Sequence, residues 1–273
     1  MTNAPIISVV ISTYNSIEWL QKTLWSYEQQ VFRPFEIVIA DDGSQQETID
    51  FINNYKSWSD RPIIHVWHED KGFQKSAILN KALLACTTDY VVMSDGDCLA
   101  REDFIQVHYE RRRKGCFLSG GYYKLPLELS QKITREDILT QKCFDLAWLK
   151  KNGLPESYKT QKLNSGFVKA KIMEKITPTN ASWNGHNSSG WKKDLLAVNG
   201  FDERMQYGGQ DRELGERLFN YGIKSIQIRY SAICLHLDHA RGYKNQESID
   251  KNKAIRKKTR TEKLNYTPYG IVK

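Results

Sequence analysis

Apolar positions in the first hundred residues fall into short unbroken runs separated by longer stretches of mixed character. The runs IISVVIS (6–12), FEIVIA (35–40), PIIHVW (62–67) and DYVVMS (89–94) are rich in β-branched residues and too short for helices, which predicts four buried strands. Between them, SIEWLQKTLWSYEQQ (16–30), QQETIDFINNYKSW (45–58) and QKSAILNKALLAC (74–86) repeat apolar residues at helical spacing. In the last of these, Ile78, Leu79, Ala82 and Leu83 share one face. Such alternation implies right-handed βαβ units and a mostly parallel, Rossmann-like sheet flanked by helices, an α/β fold.

Each predicted strand is followed by a polar cluster: STYN (12–15), DDGS (41–44), EDKGFQK (69–75) and DGD (95–97). Ligands of open α/β sheets bind beyond the carboxyl ends of the strands, so all four clusters share the binding edge. DDGS alone is also an ordinary turn. If strand geometry continues through Gly96, Asp95 and Asp97 face the same side. Two adjacent carboxylates repel, so either the chain turns into water there or a divalent cation such as Mg²⁺ or Mn²⁺ sits between them. Neither G-x-G-x-x-G nor a P-loop follows the first strand, which excludes both of those phosphate cradles.

The second half is less regular. Residues 122–163 are polar with short helical stretches and form a connection. NGHNSSGW (184–191), a helix RELGERLFNYG (212–222), one apolar strand SIQIRYSAICLHL (225–237) and a basic tail follow. This divides the chain into a nucleotide-binding half (1–121), the connecting helical segment (122–163), an acceptor-binding and catalytic half (164–240) and the tail (241–273).

Composition narrows the partners. With 273 residues, 40% hydrophobic and 26% charged, the chain can build a full core. Five scattered cysteines without C-x-x-C spacing argue against a disulfide framework or a zinc site. The opening MTNAPIISVVISTYN lacks a basic leader and a membrane-length apolar run, so the expected location is cytoplasmic. Much of the net charge of +8 lies in DKNKAIRKKTRTEK (250–263). That segment is either a solvated, frayed terminus or a peripheral contact with an anionic membrane or lipid diphosphate. No nucleic-acid-binding motif accompanies it.

The set VVISTYN, DDGS, MSDGD and NGFDERMQYGGQDREL resembles the family-2 glycosyltransferases with the GT-A fold. The last part is similar to the C-terminal region of the β-1,4-galactosyltransferases. GFQKSAILN and GWKKDLLAVNGF resemble segments of those enzymes and of bacterial chondroitin polymerase. The resemblance implies a GT-A fold that carries a hexose or N-acetylhexosamine from a UDP-sugar to a hydroxyl of a glycan or lipid-linked saccharide. It also implies inversion to a β-linkage, with Mn²⁺ or Mg²⁺ as cofactor, in bacterial surface polysaccharide or lipopolysaccharide synthesis.

Position by position, it places Ser12, Tyr14, Asn15 and Asp42 at the uridine, Asp70 and Lys75 near base and diphosphate, and Asp95 at the ribose or metal edge. Asp97 is the implied metal ligand, joined by His239 or His236 from CLHLDHARGYKN. Asp211 of YGGQD matches the catalytic base, with Gln210 where glutamate is usual and Tyr207 where tryptophan often stands. Asp211 can equally be the N-cap of its helix. Gly208 and Gly209 let the backbone approach a sugar, Asn187 is polar lining, and Trp191 either stacks on a sugar or sits in the core. Two other readings are a sugar-phosphate nucleotidyltransferase, which needs a glycine-rich basic loop that STYNSIEW does not offer, and a silent glycan-binding protein on the same fold.

Overall fold

The computed structural model describes residues 4–163, 166–239 and 245–273, so the boundaries expected at 164 and 241 lie outside the described residues. Strands β1 (Ile7–Thr13), β2 (Phe35–Asp41), β3 (Ile63–Trp67) and β4 (Tyr90–Asp95) are parallel, in the order β3-β2-β1-β4. The sheet continues through β8 (Ser188–Trp191), β6 (Cys116–Ser119) and β9 (Lys224–Gln227), with β8 antiparallel to both neighbours. The inner strands are buried on both faces, which is why their sequences are continuous rather than alternating.

Helices α1 (Ile17–Glu28), α2 (Gln46–Trp58) and α4 (Phe104–Arg111) cover one face, where Leu24, Tyr27, Ile52 and Phe104 pack on Val9, Ile11 and Ile39. The other face carries α3 (Lys75–Ala85), α9 (Lys192–Ala197) and α10 (Gln210–Asn220), with Ile78, Leu83, Leu195 and Leu214 against Val10, Val38 and Val91. A second, three-stranded sheet joins β5 (Cys98–Ala100), β10 (Cys234–His236) and β7 (Tyr123–Lys124). The connecting region folds onto it through α5 (Leu127–Lys132), α6 (Arg135–Leu139) and α7 (Leu146–Lys151). Leu129, Ile138 and Leu149 there share a core with Leu99, Leu235 and Leu237.

Three expectations are corrected. The single strand expected over 225–237 is two strands, β9 and β10, in different sheets. Turn hydrogen bonds from Ser231 and Ala232 N–H to the Ile228 carbonyl break the run, which an apolar pattern alone cannot reveal. Strand geometry stops at Asp95, and Gly96 and Asp97 form a turn into β5, so the two carboxylates are not presented as i and i+2 of one strand. The basic tail is not a frayed arm. Its helix α11 (Gln246–Thr261) packs on α10, with Asn252 and Thr259 buried and Arg256 paired to Glu216 at 2.6 Å.

What fastens that helix is a buried ion pair. Arg217 and Glu213, each 1% exposed, meet at 2.7 Å one turn apart on α10, and Thr259 Oγ1 donates to Glu213 at 2.9 Å. Beyond α11 the chain returns to the Asn199 turn, whose side-chain amide donates to the Thr267 and Val272 carbonyls. Arg217→Met leaves Glu213 as an uncompensated buried charge and should cost about 3 to 5 kcal/mol in urea unfolding. A loss below about 1 kcal/mol would show that the pair is not the fastening point.

Candidate active site

The carboxyl ends of β1, β2 and β4 bring the polar clusters into direct contact. Ser12 and Asp95 are register partners, and Ser12 Oγ donates to Asp95 Oδ1 at 2.8 Å. Lys75, the first residue of α3, donates to the same oxygen at 2.7 Å. Burial by itself would raise the Asp95 pKa, but Lys75 and His186 reverse this and hold the carboxyl well below its ordinary range. Burial likewise works against the charge on Lys75, and Asp95, Asp211 and Asp97 together outweigh it, keeping the ammonium protonated.

A second knot lies on the nucleotide side. Both Asp42 oxygens are engaged, one by His68 Nε2 at 2.9 Å and one by the Gln74 N–H at 3.0 Å. Tyr14 donates to the exposed Asp70 at 2.8 Å, and Asn15 accepts from Gln45 N–H while its own N–H donates to Ser44. Asn15 turns the chain in the left-handed region at φ 44°, a conformation asparagine tolerates better than most residues. Asp41, beneath them, faces His65 at 3.0 Å. Neither histidine carries a motif, and only their contacts reveal them.

Asp97 stands apart from Asp95. Its Oδ2 lies 2.9 Å from His239 Nε2 and 3.5 Å from His236 Nε2, and the two imidazoles are parallel. The turn is tied to β10 by the Leu237 N–H, which donates to the Asp97 carbonyl at 2.8 Å. His236 Nδ1 faces the Leu237 carbonyl at 2.7 Å, which directs Nε2 toward Asp97, as a carbonyl behind the ring orients a metal-binding histidine. One carboxylate with two imidazoles suits a divalent first-row cation. Cys98 is also close to Asp97 and His236, and burial pushes its thiol well above the ordinary range.

Asp211 completes the edge. It occupies the first turn of α10, where the N-cap is Gly209 at φ 93°, so the N-cap role open to Asp211 belongs to its neighbour. Among the described residues its Oδ1 is buried without a hydrogen-bond partner, and a Cβ on Gly185 would lie 3.0 Å from it. Burial raises its pKa to about 6, with Asp95 adding to the rise and Lys75 and the Gly185 N–H opposing it. A desolvated carboxylate that keeps one oxygen open and is poised near neutrality has the properties of a general base.

The loop before it is shaped by α11. Asn252 Nδ2 donates to the carbonyls of Gln206, Tyr207 and Gly208, and Gln210 Oε1 accepts from the Gly208 N–H at 3.1 Å. Gly208 and Gly209 both need positive φ, and an added Cβ on Gly209 would meet Arg256 at 3.0 Å. Tyr207 stands edge-on to Phe73 at 6.0 Å, joining this loop to the segment after β3.

Two expected lining residues are elsewhere. Trp191 pairs in register with Tyr90 at the start of β4, the opposite end of the strand from Asp95, and stands edge-on to that ring at 5.1 Å. Asn187 is fully buried, with its amide spent on the Gly121 and Ala232 carbonyls and on His108, so it braces the backbone rather than lining a pocket. The residue that faces the site is its neighbour His186, set against the Tyr122 ring at 4.5 Å, with a pKa lowered to about 4 by burial.

Comparison with known proteins agrees with this architecture. The chain belongs to glycosyl transferase family 2, whose pattern matches residues 8–164. It is 26% identical over 275 residues to the uncharacterized glycosyltransferase YfnE of Bacillus subtilis (strain 168), covering 90% of this chain and 68% of that protein. It is 27% identical over 231 residues to the chondroitin synthase of Escherichia coli, covering 79% of this chain and 32% of that protein. The structure of GalNAc-T7 with UDP, GalNAc and Mn²⁺ superposes with a TM-score of 0.59 at 15% identity, over 93% of this chain and 48% of that one. The chain thus spans 32% to 68% of the length of these proteins, and its fold is GT-A.

Asp211→Asn should be more stable than the wild-type protein at pH 8. Raising the folded pKa from 3.8 to about 6 makes the buried charge a cost that appears as pH rises through that window. The gap in melting temperature should close below about pH 4, where both side chains are neutral. A gap independent of pH would contradict the burial of this carboxylate.

Proposed function

We propose that the protein is an inverting glycosyltransferase. It moves a hexose or N-acetylhexosamine from a UDP-sugar to a hydroxyl of a glycan or lipid-linked saccharide, in bacterial surface polysaccharide or lipopolysaccharide synthesis on the cytoplasmic side. The observation that carries the reading is the unpartnered Asp211 oxygen beside the Lys75–Asp95 pair. A buried carboxylate oxygen that keeps a lone pair open is what proton abstraction from a hydroxyl requires.

The uridine lies over the knot formed by Tyr14, Asn15, Asp42 and Asp70, and the diphosphate runs past Lys75. Asp97, His236 and His239 are the residues that would hold Mn²⁺ or Mg²⁺, which when bound offsets charge on the departing diphosphate. The acceptor enters from the side of His186, Tyr122 and Tyr207. Asp211 takes the proton from the attacking hydroxyl, whose oxygen forms the new bond to the anomeric carbon as the bond to the diphosphate breaks on the opposite face. An α-linked donor then gives a β-linked product. Gln210 accepts the Gly208 N–H as a glutamate there would, so the departure from G-G-E-D leaves the base in place.

Calorimetric titration with UDP should show binding that weakens with chelator and in Asp97→Ala, with GDP weaker than UDP. Asp211→Asn should keep UDP affinity while losing transfer by about 10² to 10⁴. Equal loss of binding and transfer would remove Asp211 as the base, and preference for GDP would change the donor.

Shortening the chain before α11 removes the Asn252 clamp on the 206–208 carbonyls. The smaller change Asn252→Ala should therefore lower kcat more than UDP affinity. Unchanged kcat would mean that the loop holds its shape without α11.

A further inference from the structure

One helix is built against the usual rule. Of α8 (Phe167–Ile176), Ala170 and Glu174 are buried. Glu174 is the anchor, with Oε1 accepting the Ser231 N–H at 3.0 Å and Oε2 3.2 Å from Arg111. The opposite side carries Val168, Ile172 and Ile176, exposed by 70%, 54% and 64%. Their spacing of four places them in one row along the helix. Single exposed apolar residues are ordinary, whereas three aligned on one outward face form a ridge that none of the described residues buries. Lys171 and Lys175 run along one flank of that row and Lys169 lies on the other, all exposed.

We propose that α8 is the surface on which this protein rests against an anionic phospholipid bilayer. Val168, Ile172 and Ile176 enter the boundary between headgroups and acyl chains, and the flanking lysines meet lipid phosphates. An apolar row rimmed by lysine matches the amphipathic elements that lie in the membrane interface. The same rim disfavours pairing with a second copy, which would set lysine rows against each other. The helix is also placed to make such contact useful. Thr179, just past its end, accepts from Arg229 at 3.2 Å, and Arg229 Cβ sits 3.2 Å from where a Gly121 side chain would begin. Gly121 precedes Tyr122, whose ring rests on His186. A relay of contacts through Thr179, Arg229 and Gly121 thus joins the segment after α8 to the Tyr122–His186 side of the candidate site. The surface proposal stands whether or not the transfer reading holds, since its test reads binding alone.

The whole chain would be sedimented with vesicles of phosphatidylethanolamine and phosphatidylglycerol, and with vesicles of phosphatidylcholine only. The wild-type protein should partition onto the anionic vesicles, less so in high salt. The triple variant Val168→Ser, Ile172→Ser, Ile176→Ser should lose at least about tenfold in partitioning. All three positions are exposed, so its melting temperature should stay near that of the wild type, which checks the fold. Lys257→Glu with Lys258→Glu, on the exposed side of α11, should bind as the wild type does. Absence of wild-type partitioning, or equal partitioning by the triple variant, overturns the proposal. Self-association in the absence of lipid that the triple variant abolishes would also overturn it, making the ridge an interface between copies.

Discussion

Crowding of negative charge at one end of the central sheet is the constraint around which this molecule is organised. Asp41 and Asp42 leave from β2 and Asp95 from β4, the parallel strands on either side of β1, Asp97 follows by two residues, and Asp211 arrives on the first turn of α10. Four of them are matched to a cationic or cation-capable partner: Asp41 to His65, Asp42 to His68, Asp95 to Lys75, and Asp97 to His236 and His239. Asp211 keeps an oxygen without such a partner. Unpaired charge in a partly desolvated setting is costly, and proteins keep it where chemistry uses it.

The rest of the fold serves that edge. The inner strands are apolar on both faces because helices cover them on both sides, and this rigidity fixes where the carboxylates emerge. The small sheet of β5, β10 and β7 brings the histidines back over the Asp97 turn from more than a hundred residues away. The C-terminal helix secures the loop before Asp211 from behind. The Glu213–Arg217 pair and the Asn252 hydrogen bonds therefore act on the site without touching it.

The elements legible in the sequence were those whose stabilisation is local or repetitive. Strands β1 to β4 and helices α1 to α3 follow directly from apolar runs and helical spacing, and the left-handed glycines before Asp211 follow from the pair itself. Trp191 and Asn187 were not legible, because both are polar-capable residues in a promising motif and only their register and hydrogen bonds put them in the framework. His186, just before Asn187, belongs to the same stretch and faces the site; no periodicity in NGHNSSGW distinguishes it from its neighbours.

The sequence by itself determined the parallel α/β scaffold, the edge at which polar clusters collect, and the residue types gathered there. Each of these follows from short-range patterning and from the rule that such sheets bind at their carboxyl ends. Only the tertiary structure decided that Asp95 belongs with Lys75, that both histidines and not one of them face Asp97, and that the basic tail braces the loop before the base. It also decided that the apolar row of α8 points outward. Pairing across many residues depends on how sheets and helices come together, and a linear pattern carries no record of which partner a charge will meet.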